Sequence, residues 1–129
     1  MTDHDPLSRT IVVSARPQYL EHYSKPEEAE YAFAYTIDIR NDGLESVQLM
    51  SRHWIITDGY NEKREVEGEG VISEQPFIES QHSYRYSSGA ILATRTGTME
   101  GSYTLRSESG VTFTAPIPTF ALIAPGALQ

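Results

Sequence analysis

A chain of 129 residues is long enough for one domain with a sizeable core and too short for two. Ten Lys and Arg against eighteen Asp and Glu leave a formal net charge of −8 with no basic run, which excludes nucleic acid and anionic membrane surfaces as expected partners. The absence of cysteine removes disulfides, thiolate nucleophiles and thiolate zinc sites together, and fits a reducing compartment.

The start, Met1-Thr2-Asp3-His4-Asp5-Pro6, is polar and acidic, unlike a secretory signal. The most apolar segment, residues 115–128, carries Pro116, Pro118 and Pro125 and is too short to span a bilayer. The expectation is a cytoplasmic protein with one domain over residues 1–129, of which residues 1–8 form a flexible tail.

Period-two alternation dominates the chain, so strands are expected throughout. The first covers residues 10–19, with Ile11, Val13 and Ala15 on one face and Pro17 marking an edge or bulge. Residues 19–30, with Pro26 and several charges, read as a loop containing one helical turn. Tyr31, Phe33, Tyr35, Ile37 and Ile39 then alternate with Ala32, Ala34, Thr36, Asp38 and Arg40, which points the odd positions at a core. Asn41-Asp42-Gly43 suits a turn with positive φ.

A second long strand runs over residues 47–57 and stops at Asp58-Gly59. Trp54, in its middle, is expected in the core with Met50 and Ile56 on its face. Arg52 shares that face in a regular strand, so it is either paired or rotated outward by a bulge. Residues 62–70 read as extended, Glu79-Ser80-Gln81 as a polar turn, and residues 82–87 as a strand with Tyr84 and Tyr86 on one face. Met99, Gly101, Tyr103 and Leu105 alternate with polar residues. After a turn at Ser109-Gly110, so do Val111, Phe113, Ala115 and Ile117. About seven strands at short, regular spacing predict an all-β, immunoglobulin- or fibronectin-III-like sandwich of antiparallel strands.

The glycine-rich stretch from Gly68 to Pro76 resembles a phosphate loop, but its context opposes that reading. A dinucleotide loop needs a third glycine and a following helix, whereas Ser73 holds the third glycine's place and Pro76 follows closely. Glu65, Glu67, Glu69 and Glu74 would face the phosphate, each opposing it by up to about 4 kcal/mol at close range before screening. Lys63 and Arg64 are the nearby cations in sequence. Glycines serving tight β-geometry are the stronger explanation for Gly68 and Gly70.

No Gly-x-Ser-x-Gly occurs, and no histidine stands in a nucleophile–base–carboxylate pattern, so no catalytic residue is assigned. Ser51 and His53 share a strand face, which better fits a structural pair. His4, His22, His53 and His82 are scattered, so no cofactor or preformed metal site is expected. Glu65, Glu67 and Glu69 line one strand face. They offer oxygen ligands for weak divalent-cation binding, although a solvated acidic face is the ordinary reading. Arg52, His53 and Tyr60 near strand ends would suit a contact patch.

The blocks Ser51-Arg52-His53-Trp54-Ile55-Ile56-Thr57-Asp58, Gly68-x-Gly70-Val71 with Glu74-Gln75-Pro76, Tyr86-x-Ser88-Gly89 with Leu92-x-Thr94, Gly97-x-Met99-x-Gly101-x-Tyr103 and Ile117-Pro118-x-Phe120 resemble, in this order, the ApaG family. The resemblance covers roughly residues 10–125 and implies a fibronectin-III-like sandwich. The chain departs from the family at Ser73, where a third glycine is usual, and at Glu79-Ser80-Gln81, where many members have Pro-Gly. The family's links are to genes beside a diadenosine-polyphosphate hydrolase, to cobalt tolerance and magnesium efflux, and to eukaryotic protein-binding modules. No catalytic residues come with it.

The reading that follows is a non-catalytic binding module with an unidentified protein partner, monomeric or weakly dimeric through a sheet edge. Arg52, His53, Tyr60, Gly68, Gly70 and Glu74 are its candidate binding residues. The competing reading is an enzyme or sensor for pyrophosphate-containing small molecules acting through the loop at residues 68–74.

Overall fold

The computed structural model describes residues 6–126. Eight strands build two antiparallel sheets: β1 (Ile11–Tyr19), β2 (Tyr31–Asn41), β3 (Val47–Asp58), β4 (Lys63–Glu69), β5 (Phe77–Ile78), β6 (Ser83–Leu92), β7 (Thr96–Ser107) and β8 (Thr112–Ile123). One sheet has the order β1-β2-β6, the other β4-β3-β7-β8 with β5 also on β3. The expected all-β sandwich is what forms. It gains β5, whose two residues are too few to show a period.

Alternation explains β2. Tyr31, Phe33, Tyr35, Ile37 and Ile39 are all buried, as the odd-position pattern predicts. They pack with Trp54, Tyr103, Leu105 and Phe113 of the facing sheet into one apolar cluster. At its centre Trp54 makes edge-on contacts with Tyr35, Tyr103 and Phe120, with ring centroids 5.4, 6.4 and 6.0 Å away.

Two bulges break the alternation. Between Leu49 and Ser51 the register of β3 on β7 slips by one residue, leaving Met50 as the extra one. The buried face of β3 is odd-numbered before it (Val47, Leu49) and even-numbered after it (Trp54, Ile56). Met50 therefore does not continue the face of Trp54, as a regular strand would have it. A second slip, opposite Met99–Gly101, moves the buried face of β8 from Phe113, Ala115 and Ile117 to Leu122. It also carries β8 past Pro118 to Ile123, six residues beyond the expected alternation.

Three local expectations change. Gly43 is not among the positive-φ residues. Its turn is held instead by the fully buried Asn41, whose Oδ1 accepts from Gly43 N–H at 2.9 Å while Nδ2 donates to the carbonyls of Glu45 and Ile78 at 2.8 and 3.0 Å. Residues 19–30 hold two short 3-10 turns, Glu21–Tyr23 and Pro26–Glu28. Of the expected tail, residues 1–5 lie outside the described residues, while Pro6–Thr10 is a 3-10 turn with Ser8 buried and Leu7 against the core.

Candidate functional site

Where the edges of β6 and β4 face each other the sandwich is open, and a cleft of about 280 Å³ lies between Tyr35, Arg52, Trp54, Val71, Ile72, Tyr86, Ser87 and Ser88. Its floor is aromatic and its one charge is Arg52. The bulge at Met50 puts Arg52 on the same face as Trp54, two residues away. The alternative posed by the sequence therefore resolves to an inward arginine, held by backbone carbonyls and not by an ion pair.

The pairing is unusual. Arg52 Nη1 donates to the backbone carbonyls of Gly70 at 2.9 Å and Glu69 at 3.2 Å. No described carboxylate forms an ion pair with it. Gly68, its cross-strand neighbour, is shaped to it: a Cβ there would lie 2.8 Å from Nη1 and 2.9 Å from Nη2. A half-buried guanidinium thus keeps its charge uncompensated and faces a cleft.

Below it, the buried Tyr86 and Tyr103 hydroxyls hydrogen-bond to each other across the two sheets. Burial pushes the Tyr86 phenol up to about 12; the bond to Tyr103 and the Arg52 charge pull it back only in part. Burial, then the neighbouring Tyr86, raises Tyr103 further still. Both are neutral hydroxyls at ordinary pH. At the mouth, Tyr84 donates to Glu74 Oε1 at 3.2 Å, and burial followed by that carboxylate raises its phenol as well.

The loop from Gly70 to Gln75 is a tight turn closed by its own backbone hydrogen bonds. Val71 and Glu74 exchange backbone hydrogen bonds of 2.7 and 2.9 Å, and Gly70 N–H donates to Met50 O at 2.9 Å, so three amides that an anion would need are already used. Ile72 and Ser73, the central pair, have φ of 47° and 65°. Positive φ at both positions is the requirement of a type I′ turn, where Asn-Gly is favoured. Ser73 therefore stands where a glycine would relieve backbone strain.

Other candidates lie elsewhere. His53 points to the opposite face of β3, its Nε2 3.6 Å from Glu65 Oε2 and 3.8 Å from Glu67 Oε1. These groups could converge on an ion, and Nε2 is buried without a hydrogen-bond partner. Tyr60 is exposed at the turn between β3 and β4. Arg52, Gly68, Gly70 and Glu74 are thus brought together at the cleft and its rim, whereas His53 and Tyr60 are not. The sequence reading did not single out Tyr35, Tyr86, Ser88 or Val71 as cleft residues. The block Tyr86-x-Ser88-Gly89 was the signal available for two of them.

Comparison with known proteins places these features. The ApaG domain model matches residues 21–107. Protein ApaG of Pseudomonas entomophila is 52% identical over 119 residues, covering 92% of this chain and 94% of that one. Protein ApaG of Azoarcus sp. is 48% identical with the same coverage. Among solved structures, a Northeast Structural Genomics Consortium target superposes with a TM-score of 0.90 at 44% identity, covering 95% of this chain and 93% of the other. A Bordetella pertussis protein given the name ApaA superposes with a TM-score of 0.87 at 42% identity, covering 90% and 94%. The chain belongs to the ApaG domain family.

Proposed function

We propose that the protein is a non-catalytic binding module and that the cleft at Arg52 is its recognition site. The observation that carries this reading is a half-buried arginine without a carboxylate partner, set among tyrosines and a tryptophan at an open sheet edge. Arginine and aromatic side chains dominate the energetics of interfaces, and an unpaired charge awaiting an anionic group is costly to keep for stability alone. In immunoglobulin lettering, β1, β2 and β6 take the places of A, B and E, and β3, β7 and β8 those of C, F and G, which supports the immunoglobulin-like reading of the sandwich.

The pyrophosphate reading is disfavoured by the consumed loop amides and by the surrounding glutamates. Affinity capture from the source cell with wild type and Arg52→Gln tests the proposal. A protein retained by wild type and lost from the variant supports it. Calorimetry with diadenosine tetraphosphate, with and without Mg²⁺ or Co²⁺, tests the competitor; saturable binding abolished by Gly68→Val would replace our reading.

A second reading rests on His53, Glu65 and Glu67. One imidazole nitrogen and two carboxylates whose ligand atoms lie within 4.8 Å of one another suit a divalent cation, and the partnerless Nε2 fits that use. It would connect the chain with cation homeostasis. Co²⁺ titration followed by visible absorbance should show a His53-dependent signal; an identical titration of His53→Ala would remove this reading.

A further inference from the structure

We propose that the free edge of β6, over residues 86–92, receives an extended peptide segment of a partner protein, which adds to the three-stranded sheet and sets an acidic side chain against Arg52. This deepens the recognition reading above and rests on it.

Two open sheets leave edges at β1 and β6 in one sheet and at β4 and β8 in the other, with the two-residue β5 as a short further edge beside β4 on β3. Unpaired edges invite strand addition unless proline, charge or a bulge blocks them. Of these, β5 is too short to template a strand, and β1, β4 and β8 are blocked. β1 carries Arg16 and Pro17, and β8 carries Pro116, Pro118 and the register slip opposite Met99–Gly101. β4 carries Lys63, Arg64, Glu65, Glu67 and Glu69 along its length. β6 differs. Its one charge, Arg85, is taken by Asp38 through bonds of 2.7 and 3.2 Å on the outer face. From Tyr86 onward the strand reads Tyr-Ser-Ser-Gly-Ala-Ile-Leu, with no charge and no proline. Its only described sheet partner is β2, so its other side offers a row of main-chain groups about 20 Å long.

The chemistry of the occupant follows from what faces this edge. At one end Arg52 lies in the cleft that Tyr86 and Ser88 also line. At the other end a second cleft, of about 250 Å³, is lined by Ile56, Ile91, Leu92 and Ala93 together with the charged Asp58, Glu62, Lys63 and Arg64. Ser88 and Leu92 are four residues apart on the same face of the strand, about 13 Å. A segment paired with β6 therefore meets an unneutralised guanidinium at one position and, four positions away, a cleft where Ile56 and Leu92 stand among two carboxylates and two cations. At the Ser88 end, where no other charged residue lines the cleft, that guanidinium is complementary to a carboxylate, whereas Lys63 and Arg64 at the other end stand with Asp58 and Glu62. The favoured partner is an extended segment with one Asp or Glu and an apolar residue four positions along, held mainly by main-chain hydrogen bonds, with the two side chains supplying selectivity.

Panning the intact, immobilised protein against phage-displayed random linear decapeptides tests this. Selected peptides should share the acidic–apolar spacing and lack proline between the two. In NMR titration with a selected synthetic peptide, the amides of residues 87–91 should gain protection from exchange. Arg52→Gln should weaken binding by about tenfold or more, the loss expected for a charge-assisted hydrogen bond. Because Arg52 also braces a turn, Ser88→Glu is the decisive second variant. It places a carboxylate in the cleft from an exposed position and should abolish binding while leaving the melting temperature near that of wild type. Failure to enrich any peptide overturns the proposal, as do selected peptides without an acidic residue or binding that survives Ser88→Glu. A concentration-dependent dimer in sedimentation that Ser88→Glu dissolves would make a second copy the occupant and also overturn it. If capture finds a protein that depends on Arg52 while no peptide is selected, strand addition falls and the recognition reading stands.

Discussion

Gly70→Ala isolates what the glycines of this loop do. Gly70 has a φ of +61°, where an L-residue pays roughly 1–2 kcal/mol relative to right-handed backbone. The added Cβ would sit 1.9 Å from the Glu74 carbonyl oxygen and 2.6 Å from its carbon, a clash with backbone that no rotamer change relieves. Moving that carbonyl away strains the 2.7 Å bond it accepts from Val71 N–H, worth about 1 kcal/mol. Val71 is fully buried, so the shift is felt in the core. The sum is about 2–4 kcal/mol of lost stability. Urea denaturation followed by tryptophan fluorescence should show the midpoint falling with an unchanged slope. Gly68→Ala is the internal control. Its Cβ meets only the mobile end of Arg52, so stability should fall by less than about 1 kcal/mol while the guanidinium is displaced from the cleft. A Gly70→Ala protein within about 0.5 kcal/mol of wild type, or one less affected than Gly68→Ala, would refute the reasoning.

The same turn predicts a gain: Ile72→Asn with Ser73→Gly, which restores the residues a type I′ turn prefers, should raise stability by about 1–2 kcal/mol in the same denaturation assay. Trp54→Ala, emptying the site between Tyr35, Tyr103 and Phe120, should cost about 3–5 kcal/mol, read from thermal or chemical unfolding by circular dichroism. Alkaline stability follows from Tyr86, whose phenol rises in the fold from 10.0 to about 12. Above pH 10 the unfolded chain loses this proton first, so stability is full below about pH 10 and falls by up to about 3 kcal/mol toward pH 12. Urea midpoints measured across that window should fall more gently in Tyr86→Phe.

The strands were legible where one face is buried over many residues, because burial enforces the alternation directly, as in Tyr31 to Ile39. The bulges were legible only as changes of parity: Val47 and Leu49 are odd, Trp54 and Ile56 even; Phe113, Ala115 and Ile117 are odd, Leu122 even. A regular-strand assumption reads through such a change and places Met50 beside Trp54. The turn at Gly43 was misread because Asn41 supplies by side-chain hydrogen bonds what positive φ would otherwise supply. The cleft was the least legible feature, since Tyr35, Arg52, Val71 and Tyr86 come from separate segments and meet only through the stacking of two sheets.

The bulge at Met50 ties both candidate sites to one cause. Without the extra residue, β3 would keep its odd face inward, turning His53 toward the tyrosines and Arg52 toward solvent beside the glutamates of β4. With it, Arg52 turns inward and His53 outward, to Glu65 and Glu67. The inward choice carries a cost. A half-buried guanidinium needs carbonyl partners and a glycine opposite it, and the turn that follows those carbonyls holds Ile72 and Ser73 in strained backbone. An apolar side chain at position 52 would complete the face of Trp54 and Ile56 with none of these demands. These departures, gathered around one charge at an open sheet edge, are the structural support for the recognition role proposed for Arg52.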